Sequence, residues 1–160
     1  MLRVNIICVG KLKEKYLRDA AAEYAKRLAA YCKFNIIELD EEKTIDVPNR
    51  AAIESVLNAE GRRILSKIDR SDLVAAMCIE GRQMSSEKFA RYISESAVNG
   101  VSTVDFIIGG SWGLSDEVKQ RASIRLSMSE MTFPHQLARV MLCEQIYRAF
   151  SINAGTKYHK

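Results

Sequence analysis

The chain has 160 residues, 48% hydrophobic and 28% charged, a balance that fits one soluble globular domain and argues against a disordered chain. Its net charge of +4 mildly favours a polyanionic partner but falls short of the dense basic footprint that identifies a nucleic-acid binder by charge alone. No apolar run approaches the roughly 20 residues of a membrane span, and the first run, VNIICVG, is short and leads straight into charged KLKEKY, so neither a span nor a secretory signal is expected and the protein is placed in the cytoplasm.

Apolar, β-branched runs alternate along the chain with segments of helical period. RVNIICVG (3 to 10) predicts the first strand, followed by a helix from about Glu14 to Cys32 with Tyr16, Leu17, Ala20, Ala21, Tyr24, Leu28 and Tyr31 on one face. FNIIEL (34 to 39) predicts the second strand, and the charged stretch DEEKT (40 to 44) a surface loop. After Pro48 and Asn49 comes a second helix, whose interior Gly61 costs up to about 1 kcal/mol against alanine. LVAAMCI (73 to 79) is the third strand; a third helix starts near Ser85, a suitable N-cap, and stops before Asn99 and Gly100. TVDFII (103 to 108) is the fourth strand, Ser115 opens a short fourth helix, and SIRLSMS (123 to 129) is a weaker fifth strand. Continuous apolar strands separated by helices imply a mostly parallel five- to six-stranded α/β sheet with helices on both faces, in a single domain spanning 1–160.

The segment MTFPHQLARVMLCEQIYRAFSI (131 to 152) reads as a helix with Pro134 in its first turn and no proper polar face. A sheet covers only one side of such a helix; the other side calls for a second partner, and a symmetric copy of the chain is the simplest one. A homodimer with this helix in the interface is therefore expected. Cys8, Cys32, Cys78 and Cys143 lie in apolar surroundings without a C-x-x-C pair and read as small buried hydrophobes. With His135 and His159 the only histidines, no metal site is expected.

The strand-to-helix turn IIGGSWGLSDE carries a cluster of glycines at the edge where open α/β sheets bind ligands. Its spacing is not that of a dinucleotide-binding or P-loop motif, and Asp116 and Glu117 occupy the helix start that a phosphate would need. The same residues match G-x-S-x-G, which opens an alternative: a serine hydrolase with Ser111 as nucleophile and Glu130 with His135 or His159 as partners. Farther on, Met128, Met131 and Phe133 lie between the last strand and the last helix, where they serve either as core filler or as the wall of an apolar slot for an adenine ring.

GKLKEKY (10 to 16), FIIGGSWGL (106 to 114), MTFPHQLARVMLCEQIYRAFSI (131 to 152) and KYHK (157 to 160) cover most of the chain in one order, and together they resemble the RlmH family. These are small SPOUT-class methyltransferases that use S-adenosyl-L-methionine to methylate N3 of a pseudouridine in 23S ribosomal RNA. The resemblance implies a SPOUT-type α/β knot, with a C-terminal trefoil knot and cofactor site in about 73–155, and a homodimer with composite active sites. It places cofactor contacts at Met77, Gly109, Met128, Ser129, Glu130, Met131, Thr132 and Phe133. Substrate contacts fall at His135, Arg139, Arg148, Tyr158 and His159, with 23S rRNA in the assembled ribosome as partner and no catalytic base assigned. Glu144 has the chemistry of a base, but Arg148 at i+4 favours a structural ion pair. A ribosome-binding module without catalysis is the third possibility.

Overall fold

The computed structural model describes every residue except Thr44 and Ser71, so the last residue of the expected 40 to 44 loop lies outside the described residues. The elements follow in the order β1 (Arg3–Val9), α1 (Lys15–Leu28), β2 (Lys33–Leu39), α2 (Arg50–Leu65), β3 (Leu73–Arg82), α3 (Ser86–Val98), β4 (Thr103–Ile108), α4 (Asp116–Arg121), β5 (Ile124–Leu126) and α5 (His135–Asn153). All five strands join one parallel sheet in the order β2-β1-β4-β3-β5.

Helices cover both faces, which is why the central strands are apolar at every position but a few. On one side Val4, Ile6, Cys8, Val104, Phe106 and Ile108 pack against α1, α3 and α5. On the other, Ile7, Val9, Val74, Ala76 and Ile107 meet Ile64 of α2 and Leu114 and Val118 beside and within α4. The exceptions form a polar ladder across three strands. Asn35 Nδ2 donates to Asn5 Oδ1 at 2.9 Å, and Asn5 Nδ2 donates to Asp105 Oδ1 at 2.7 Å. Burial pushes the Asp105 carboxyl up to about 7 despite that hydrogen bond.

Three helices begin on side chains that accept an otherwise orphaned amide: Asn49 from Ala52, Ser85 from Lys88 and Ser115 from Val118. Pro134 stands one position earlier than expected, at the N-cap of α5, with His135 the first helical residue. Gly61, costly for α2 by propensity, is where α2 meets the start of α4. A Cβ there would lie 2.5 Å from Ser115 Oγ, so the glycine is required by close packing.

α5 lies between α1 and α3 and buries Leu142, Cys143, Ile146 and Ala149 against the sheet. Its far side is less well covered, with Val140 and Met141 half-buried and Leu137 40% exposed. Cys8, Cys32 and Cys143 are buried free thiols, and burial raises them to about 11, 11 and 12. They remain protonated and serve as packing.

Candidate active site

A cleft of about 810 Å³ opens at the carboxyl ends of β3 and β4, within the size range of small-molecule sites. One wall is the turn after β4. Gly110 bridges back to Gly113, and the Gly113 carbonyl sits so close that a Cβ on Gly109 would be 2.2 Å from its oxygen. The turn therefore presents mostly main chain to the cleft. The facing wall is the segment between β5 and α5, which braces itself: Ser127 Oγ donates to the Ser129 carbonyl at 2.9 Å, and Ser129 Oγ accepts from the Met131 amide at 3.0 Å. Ser127 N donates to the Arg82 carbonyl, which pins the end of β5 to β3; beyond it the local bonds of Ser127 and Ser129 turn the chain, and the strand ends at Leu126 rather than running to 129.

The cleft gathers Met77, Gly109, Met128, Ser129, Met131, Thr132 and Phe133 from three separate parts of the sequence. Glu130 is exposed and does not line it. His135 does line it, half-buried, and burial followed by nearby Arg139 lowers its pKa so that the ring is neutral near pH 7. Leu126 and Leu142 add to the apolar lining supplied by the three methionines and Phe133. Sequence reasoning missed Trp112, 43% exposed on the glycine turn, and the rim ion pair of Glu80 with Lys119 at 2.6 Å. That pair holds the Glu80 carboxyl below its ordinary range. The signal for Glu80 was its place just past Met77, on the part of β3 that extends beyond its pairing with β4.

Arg148, Tyr158 and His159 form a second cluster, outside the cleft lining. Gly155, at φ +68°, ends α5 and lets the Thr156 amide bond back to the Ser151 carbonyl, which folds the tail onto the helix. Arg148 donates through Nε and Nη2 to Glu144 Oε1, the ion pair that the i+4 spacing predicted. Tyr158 Oη donates to the same oxygen at 3.1 Å, and its ring lies edge-on to Tyr147 and under the Arg148 guanidinium. Burial, reinforced by the neighbouring Tyr24 and then by the bond to Glu144, raises the Tyr158 phenol to about 12. Because Arg148 can only donate to His159 Nδ1, at 3.1 Å, the Nε2 proton of a neutral His159 is directed to Glu87 at 2.8 Å. The tail is thus a docked element.

Arg139 is placed differently from its expected role. It is 0% exposed, pairs with Glu38 at 2.7 Å and donates to the Gly10 carbonyl at 2.9 Å. It has no surface to offer a phosphate; it ties α5 to the end of β1. Ser111 is exposed at the cleft wall, and among the described residues no hydrogen bond connects it to Glu130, His135 or His159. The hydrolase arrangement is not assembled.

A family described as predicted SPOUT methyltransferase matches residues 2–159. The chain belongs to this family of SPOUT methyltransferases. It is 52% identical to a protein of Clostridium acetobutylicum and 50% identical to one of Streptococcus uberis, both called ribosomal RNA large subunit methyltransferase H. A protein of the same name from Streptococcus pneumoniae is 49% identical. Each match covers 99% of this chain and the whole of the relative.

Proposed function

We propose that this protein uses S-adenosyl-L-methionine to methylate N3 of a pseudouridine in 23S rRNA of the large ribosomal subunit, acting in the cytoplasm on assembled ribosomes. The observation that carries the reading is the cleft itself, in which the glycine turn and the 128 to 133 segment face each other across an apolar lining. Main-chain groups suit the polar edge of an adenine ring, and Met77, Met128 and Phe133 suit its faces. When bound, the cofactor supplies both the electrophilic methyl group and its leaving group. What remains for the protein is to align the acceptor nitrogen and exclude water, an effect worth roughly 7 to 11 kcal/mol in well-oriented reactions.

His135 at the cleft, with Arg148, Tyr158 and His159 on the tail, form the substrate side of this reading. The tail residues lie outside the cleft of their own chain, while α5 leaves Leu137, Val140 and Met141 incompletely covered. Both facts support a homodimer in which each cleft is completed by the tail of the second copy. The trefoil knot belongs to the same proposal, with the threaded part and the cofactor site in about 73–155 of a single domain.

Trp112 is the only tryptophan in the chain and stands on the cleft wall, so its fluorescence reports on the site. Adding S-adenosyl-L-methionine is expected to change that fluorescence and raise the melting temperature, with about 2.7 kcal/mol of added stability at a hundredfold excess over Kd. No change in either at saturating cofactor would overturn the proposal. Tritiated methyl groups, transferred to ribosomes from cells lacking the protein and mapped on the rRNA, test the acceptor. Ribosome binding without transfer would instead favour a module without catalysis.

A further inference from the structure

The segment between β1 and α1 is held far more firmly than its exposure requires. The Gly10 amide donates to the Leu39 carbonyl and the Gly10 carbonyl accepts from buried Arg139. Arg18 Nη1 donates to the carbonyls of Leu12 and Lys13 at 3.1 and 2.6 Å, and the Lys13 amide donates to Gln136 Oε1 at 2.9 Å. Leu12 is buried against Leu17 and Ala21, whereas its two neighbours, Lys11 and Lys13, are exposed. Lys15 pairs with Asp19; among the described residues neither Lys11 nor Lys13 has an ion pair. Tyr16, expected on the apolar face of α1, instead stands at 69% exposure in the first turn of the helix, away from the buried side marked by Leu17, Ala21 and Leu28.

The position of this surface gives it meaning. Gln136, which grips Lys13, adjoins His135 on the cleft, and Lys13 is close enough to His135 to add to the lowering of its pKa. A rigid backbone carrying two uncommitted ammonium groups and an open aromatic ring matches the chemistry of a nucleic acid, which offers phosphates at regular spacing and bases that stack. Glu14 and Glu41 lie nearby, so the surface is a set of local contacts and not a broad positive field.

We propose that this loop docks the rRNA substrate beside the cleft, with Lys11 and Lys13 on backbone phosphates and Tyr16 stacked on an unpaired base. The inference rests on the proposed rRNA methylation for its partner, but its test reads binding and not turnover. Filter binding of the full-length protein to ribosomes is measured across a salt series for the wild type, for a K11A/K13A double variant and for Y16A. The double variant is expected to bind more weakly and to lose about 1.4 to 1.8 from the slope of log affinity against log salt, which is roughly 0.7 to 0.9 per phosphate contact. Y16A is expected to bind about 5- to 160-fold more weakly, with Y16W restoring affinity. Cofactor-induced change in Trp112 fluorescence should be the same in all of them.

Unaltered ribosome affinity and salt slope in both variants would overturn the docking surface. So would sedimentation showing that either variant shifts a wild-type dimer to monomers, because the patch would then be a subunit contact. Wild-type protein that binds ribosomes through these residues yet transfers no methyl group would refute the reaction and leave the surface standing.

Discussion

The cleft and the tail cluster are built from opposite materials. The cleft is glycine main chain, methionine, leucine and phenylalanine, with its ion pair confined to the rim. The tail cluster is side chain throughout: Glu144 collects Arg148 and Tyr158, while His159 spans Arg148 and Glu87. A main-chain cradle recognises by shape and fails when a single atom is added. A network of charged and hydroxyl groups recognises by proton and charge, and it weakens by degrees as partners are removed. If the cleft holds the cofactor and the tail meets the RNA, damage to one should leave binding at the other largely intact.

The sharpest break in that comparison is G109A. The added methyl would sit 2.2 Å from the Gly113 oxygen, a backbone atom that has no side-chain freedom with which to yield. We expect cofactor binding to be lost, turnover to fall by about a hundredfold or more, and the fold to lose about 1 to 3 kcal/mol. Calorimetric titration of the cofactor and thermal melting check it; normal cofactor affinity would show that the turn is not a wall of the site. Deleting residues 156 to 160 should do the reverse, abolishing methyl transfer while cofactor affinity stays at the wild-type value. A milder version is E144Q, which weakens the bonds from Arg148 and Tyr158. It should cost about 1.5 kcal/mol of stability and reduce turnover with Trp112 fluorescence titrating as before; a lost cofactor response would mean that the two regions are coupled.

The sheet and its helices were legible because their signals are local. Asn49, Ser85 and Ser115 are caps readable from residue type and position, and the apolar strands announced burial on both faces. Gly61 and Asp105 ran against that local logic. Each is unfavourable within its own element and is explained by a partner far along the chain, Ser115 Oγ for the glycine and Asn5 for the aspartate. The cleft residues came from a family resemblance; periodicity alone offered Met128, Met131 and Phe133 equally as core. Arg139 was misjudged for a related reason. A helical arginine looks like surface charge unless Glu38 and the Gly10 carbonyl, about a hundred residues away in sequence, are known to enclose it.

The gentlest probe of the tail is pH. The hydrogen bond from His159 holds the Glu87 carboxyl below its ordinary value, with its own backbone and Ser85 adding to the effect. A carboxyl whose folded-state pKa is depressed contributes to tail docking above its unfolded pKa, and that contribution is lost as pH falls through the lower, docked value. E87Q removes the ionised partner at every pH. Amide exchange of residues 157 to 160 should therefore be faster in E87Q than in the wild type near neutrality, and the two proteins should converge as the solution is acidified below the usual glutamate range. Glu87 is exposed, so the difference near neutrality should be small and should shrink with added salt. A difference that persists unchanged at the acid end would mean that Glu87 holds the tail through something other than its charge, and the contrast between a steric cleft and an electrostatic tail would lose its pH-dependent half.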